Sequence, residues 1–140
     1  MFWDSSALVP TILPAKTSSA LVALARSDTR RTLWWGSPVE CQSALFRRHR
    51  EASMPAELLQ RALRRLADLV EGSDVVAPTL PLRERAGRLL SVHPLRAGDA
   101  LQLAAALAWC EDAPHGEPFV CLDARLRDAA RREGFSPLPA

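Results

Sequence analysis

Short β-prone apolar runs, each followed at once by a helical stretch, recur along this chain and limit its fold more than any other feature. The N-terminal "MFWDSSALV" opens with an apolar run broken at Asp4. "RTLWW" (31–35) is rich in strand formers and stops at Gly36, "DVVAP" (74–78) reads as a short strand, and "FVCL" (119–122) as a buried one. Between them lie helical segments. "TSSALVALA" (17–25) has helical composition. A helix starts at 37 with Ser37 as N-cap, Pro38 in the first position and Glu40 three residues after the cap. From Pro55, an amphipathic helix places Leu58, Leu59, Ala62, Leu63, Leu66, Leu69 and Val70 on one face. Further helices are expected from about Leu82 to Val92 and through "LRAGDALQLAAAL" (95–107). "APHGEP" is a loop, and the helix "DARLRDAARREGF" is capped by Asp123 and closed by Gly134, with Phe135 starting a last edge strand. Strands alternating with helices imply a mainly parallel sheet covered on both faces, a three-layer α/β/α sandwich.

At 140 residues the chain is expected to form a single domain, residues 1–140, with one core and no need of disulfide or metal staples. No apolar run reaches the roughly 18 residues of a membrane span, so no membrane partner is expected. The N-terminus lacks a basic region and is interrupted by Asp4, unlike a signal peptide. Cys41, Cys110 and Cys121 are scattered and lack metal-ligand spacing, which suits reduced thiols in the cytoplasm. The net charge of +2 implies no nucleic-acid partner by itself. Its basic residues are lopsided, with seventeen arginines against the single Lys16. Base composition of the gene accounts for that bias; the functional alternative is the fit of the guanidinium fork to phosphate. The densest clusters are "RRHR" (47–50) and "RRL" (64–66), on helices expected to form an antiparallel hairpin. Their arginines face either solvent or an RNA groove, and their leucines either the core or a dimer interface.

Four carboxylates recur at strand-to-helix corners. Asp4 follows the first strand, Glu40 lies in the first turn after the second, Asp99 opens the helix of 95–107, and Asp123 follows "FVCL". In a parallel sheet these corners share the edge where ligands bind. Each acid also has a structural use. Asp4 and Asp123 can be N-caps, Glu40 can close a capping box with Ser37, and Asp99 complements the helix dipole. Caps do not remove the repulsion among four carboxylates in one cleft, which raises their pKa values. A divalent cation does, and all-oxygen ligands suit Mg²⁺ or Mn²⁺.

At these residues the chain resembles the PIN-domain nucleases, and among them the VapC toxins of type II toxin–antitoxin systems. "DSSALV", Glu40 within "VECQSAL", "LRAGDALQLAAAL" and "FVCLDARLRDAARREGF" match the family's four signature segments in order and over nearly the whole chain. The resemblance implies a PIN-like fold and a metal-dependent endoribonuclease. Asp4, Glu40, Asp99 and Asp123 would be its catalytic and metal-holding acids, Mg²⁺ or Mn²⁺ its cofactor and RNA (tRNA, rRNA or mRNA) its substrate. It further implies a cognate antitoxin as partner, in a homodimer or a toxin–antitoxin hetero-oligomer. Ser6 is expected either to bond the Asp4 carboxylate or a metal water, or simply to cap its helix. Arg96 is expected to pair with the acids, to bind RNA phosphate, or to be solvated.

Three departures mark the chain. Cys121 stands where the family usually has Thr or Ser, which would weaken a contact to metal or substrate. Gln102 stands where many relatives have His, and Pro10 and Pro14 interrupt a segment that usually carries lysine. His49, His93 and His115 are expected on the surface or in loops. Of Trp34 and Trp35, one is expected to face away from the core unless helices cover both sheet faces, with helix packing favoured over base stacking. Two rivals frame the reading: a non-catalytic PIN-like RNA-binding or scaffold module, against which the intact four acids argue, and a receiver-like phosphotransfer domain, disfavoured by the single lysine.

Overall fold

The computed structural model describes residues 1–13 and 19–140. Within them the chain runs β1 (Phe2–Trp3), α1 (Ser5–Ile12), α2 (Ser19–Ser27), β2 (Thr32–Trp34), α3 (Ser37–Glu51), α4 (Ala56–Glu71), β3 (Asp74–Val76), α5 (Leu80–Val92), α6 (Ala97–Trp109), β4 (Pro118–Val120), α7 (Ala124–Glu133) and β5 (Ser136–Leu138). Pro14, Lys16 and the first two residues of the helix expected from Thr17 lie outside the described residues. The five strands form one sheet in the order β3-β2-β1-β4-β5, and every pairing is parallel. This is the expected α/β/α sandwich.

Successive strand residues point to opposite faces, which divides the core in two. Phe2, Trp34 and Phe119 face one way, onto α5, α6 and α7. Trp3, Leu33 and Val120 face the other, onto α1, α3 and α4 with Leu21 of α2. α6 is apolar nearly all round because it is the inner helix: seven of its thirteen residues are buried. Its alanines let α5 pack closely against it. α4 instead buries a single stripe, Leu59, Ala62 and Leu66, and turns its arginines outward. Leu59 and Leu66 therefore belong to the core, with Leu63 and Leu69 partly buried against it. α7 ends at Gly134, whose φ of 108° places it in the left-handed region that a side chain resists.

Three local expectations are corrected. Ser37 does not cap α3; the N-cap is Gly36, and Ser37 is a buried helical residue bonded to Gln102 across the core. Gly36 is required there because a Cβ would lie 2.6 Å from the Trp34 indole nitrogen. α5 begins at Leu80 rather than Leu82, since Thr79 accepts the Leu82 N–H as its cap. His93 is buried at the end of α5, and its Nε2 meets Glu133 of α7 at 2.6 Å. His49 and His115 are not buried. Trp34 is buried, whereas Trp35, just past the end of β2, is 60% exposed, so the expected helix packing holds for Trp34 and not for Trp35. The three cysteines are free thiols. Among the described residues no helix is long and apolar enough to cross a membrane.

Candidate functional site

The sheet order turns at β1, which has β2 on one side and β4 on the other, so the carboxyl ends of β1 and β4 open a crevice. Asp4 leaves β1 there, and its backbone N–H still bonds to the Val120 carbonyl at 2.9 Å. Asp123 follows β4. Glu40 enters from the first turn of α3 and Asp99 from the first turn of α6. All four acids line a single cavity of about 610 Å³, with Ser5, Ser6 and Arg96.

The caps expected at two of these acids are present. Asp4 Oδ2 accepts the Ser6 N–H at 2.9 Å, and Asp123 Oδ1 accepts the Leu126 N–H at 2.9 Å. A cap satisfies backbone donors without cancelling a negative charge. Glu40 is no cap at all. Its Oε2 accepts the Ser5 hydroxyl at 2.7 Å and the Gln102 amide at 3.2 Å, and Gln102 is anchored in turn on Ser37 Oγ. A carboxylate fixed by two side chains from other helices is positioned for something other than ending its own helix.

Asp4 is 3% exposed, and burial pushes its carboxyl up to about 6, with the charges of Glu40 and Asp99 adding to the rise. Glu40 is raised by burial, against the hydrogen bonds from Ser5 and Gln102 and with a further push from Asp99. Asp99 is raised by burial and by Asp123, partly offset by Arg96 and Arg125. Burial is the leading cause at all three, and mutual repulsion is secondary. Among the described residues none of the four acids has an ion-pair partner within 4 Å, Arg96 included. Nor, among the described residues, do three Asp, Glu, His or Cys side chains close around one point as a finished metal cage.

Ser6 and Cys121 join the two corners. Ser6 Oγ accepts the N–H groups of Leu122 at 2.9 Å and Asp123 at 3.3 Å, locking the β4–α7 corner to α1. Cys121 is buried, and its Sγ lies 3.6 Å from Asp4 Oδ2. Burial and the nearby Asp4 push the thiol's pKa up, so it stays protonated and serves as a weak donor to that carboxylate. Sequence reading missed Ser5, whose contact with Glu40 spans 35 residues. It also did not place Arg47 and Arg48 at this cavity, although both line it. Their spacing of seven and eight from Glu40 on one helix was the available signal.

No protein-family model matches the chain, and no curated protein matches it. Among solved structures the chain is similar to a toxin–antitoxin complex from Klebsiella pneumoniae, with a TM-score of 0.62 and 13% identity over 89% of this chain and 87% of that one. At that identity the likeness is one of fold.

Proposed function

We propose that this protein is a PIN-like, VapC-type toxin: an endoribonuclease that works with Mg²⁺ or Mn²⁺ and is held in check by a cognate antitoxin. The observation that carries the reading is Asp4, a carboxylate almost wholly removed from water, facing Glu40 and Asp99 with no cation paired to it among the described residues. Burying such a charge unpaired is costly, and a divalent ion offsets the cost.

The donor set fits a hard cation, being all carboxylate and hydroxyl oxygen. Asp4, Glu40, Asp99 and Asp123 would hold it, and when bound it supplies Lewis acidity toward a phosphodiester and toward water. The chain's own contribution is positioning. Ser5 and Gln102 fix the Glu40 carboxylate, and Ser6 keeps the Asp123 corner in register with Asp4. Arg96, at the cavity wall, supplies positive charge for the substrate backbone.

The fold likeness to a toxin–antitoxin complex supports a protein partner. A pocket of carboxylates with no ion-pair partner among the described residues suits an inserted arginine, which can fork onto two of them at once. The second reading, a non-catalytic RNA-binding or scaffold module, draws on the lack of three closed ligands among the described residues. Asp123→Asn separates the two. Asparagine caps about as well as aspartate, so the variant should keep stability within about 1 kcal/mol. Metal-dependent RNA cleavage by the variant should nevertheless fall steeply. Wild-type protein that cuts no RNA in Mg²⁺ or Mn²⁺ would leave the scaffold reading standing.

A further inference from the structure

The cavity is divided by charge. The four acids form its floor at the sheet edge, while Arg47 and Arg48 reach it from the far end of α3. Glu40, Ser43, Ala44, Arg47 and Arg48 all line it, the i, i+3, i+4, i+7, i+8 pattern of one helix face. At 1.5 Å per residue the two arginines stand about 11 Å along the axis from Glu40. Both are exposed, and among the described residues neither side chain has an ion-pair or hydrogen-bond partner. This differs from Arg85, Arg131 and Arg132, each held by an aspartate.

Two adjacent guanidinium groups without partners among the described residues, lining a cleft whose floor repels anions, suit a ligand that is anionic at intervals. A strand that runs on from the acids along this face of α3 meets both of them. We propose that Arg47 and Arg48 form a phosphate subsite that grips the RNA strand beyond the nucleotide held at the acids, so that the substrate is a strand rather than a mononucleotide. The proposal deepens the nuclease reading and rests on it for the identity of the strand. The arginines fix position and register, and sequence choice lies elsewhere.

The test measures binding without catalysis. A fluorescent 2′-O-methyl oligouridylate, in a short and a long version, is titrated onto the whole chain in EDTA over a range of salt concentrations. For a single strand each phosphate contact contributes about 0.7 to the slope of log affinity against log salt, so Arg47→Ala with Arg48→Ala should lower the slope by about 1.4. The long probe should bind the wild type more tightly than the short one, and the double variant should lose most of that gain. Arg47→Lys with Arg48→Lys should keep the slope, since lysine still releases a counterion. Arg131→Ala with Arg132→Ala, on the outer face of α7, should leave it unmoved, and circular dichroism checks that each variant is folded. A salt slope unchanged in a folded double alanine variant overturns the subsite, as does a slope that falls equally in the α7 control. Loss of an acidic peptide's binding in place of the oligonucleotide's would overturn it in favour of a protein contact. A wild type that shows the slope but cuts no RNA with Mg²⁺ or Mn²⁺ refutes the nuclease reading and leaves the subsite intact.

Discussion

Two buried aspartates sit at opposite ends of the same pair of strands, and their surroundings differ in kind. Asp28, ahead of β2, takes the Trp3 indole N–H at 2.7 Å and the Met1 ammonium at 3.2 Å. Asp4, at the other end of β1, has only backbone and hydroxyl donors, a thiol at 3.6 Å, and two further acids in its field. Asp28 is built as a folding contact, a buried charge matched on arrival. Asp4 is left charged and unmatched among the described residues. Unmatched burial at a crevice marks a candidate functional site.

Breaking the Asp4 end should have the largest effect, and in opposite directions for activity and stability. Asp4→Asn keeps the cap and removes the buried charge. We expect metal-dependent cleavage to drop by more than about 100-fold, since outer-shell changes alone cost 10–100-fold. The metal-free variant should be more stable than wild type at pH 7.5 in urea melts. A destabilised variant would mean that the Asp4 charge is matched after all.

Acidity sharpens the contrast. The Asp4 carboxyl lies near 6 in the folded protein against 3.8 unfolded, so the folded state holds the proton more firmly. Its stability contribution is therefore full below about pH 4, falls between pH 4 and 6, and is lost above. The metal-free wild type should lose on the order of 3 kcal/mol relative to Asp4→Asn across that window. Parallel denaturation curves for the two at pH 4 and pH 7.5 in EDTA measure it. Equal pH dependence in both proteins would remove burial of Asp4 from the account.

At the other end, Asp28→Ala should behave as an ordinary core defect. It strands the Trp3 indole N–H and should cost about 1–3 kcal/mol, with cleavage of RNA by the folded fraction unchanged. Smallest of all is Cys121→Ser. A hydroxyl is a better donor to the charged Asp4 than a thiol, and a hydrogen bond to a charged group is worth about 1.5–3 kcal/mol, part of which the thiol already supplies. The expected gain in Mg²⁺ affinity is at most about fivefold, read by titration calorimetry.

The same contrast shows what a sequence can and cannot display. The sandwich was legible because strand and helix periods and the Asp4, Asp123 and Gly134 termini are local signals. The four acids were legible because parallel topology carries strand ends to one edge. What escaped were pairings made across the fold. Ser37 reads as a cap until Gln102, 65 residues away, draws it into the core. His93 reads as a loop residue until Glu133 covers it from 40 residues on. The Ser6 hydroxyl, expected at the Asp4 carboxylate or as a cap, bonds that carboxylate and also receives N–H groups from a corner more than a hundred residues distant. None of these is encoded in spacing. Arg47 and Arg48 are the intermediate case, since their offset from Glu40 lay in plain view but its meaning needed the direction of α3.

The central claim is that the unmatched acids bind a divalent cation, and Mn²⁺ binding followed by the loss of the free-ion electron paramagnetic resonance signal tests it most directly. The wild type should bind Mn²⁺ saturably and with competition by Mg²⁺. Its melting temperature should rise in step, by the stabilisation of about 2.7 kcal/mol that a ligand at 100 times its Kd confers. Asp4→Asn and Asp99→Asn should each bind at least tenfold more weakly. Contradiction would take the form of a wild type whose Mn²⁺ signal and melting temperature match those of both variants, leaving the four carboxylates as helix caps and corner residues.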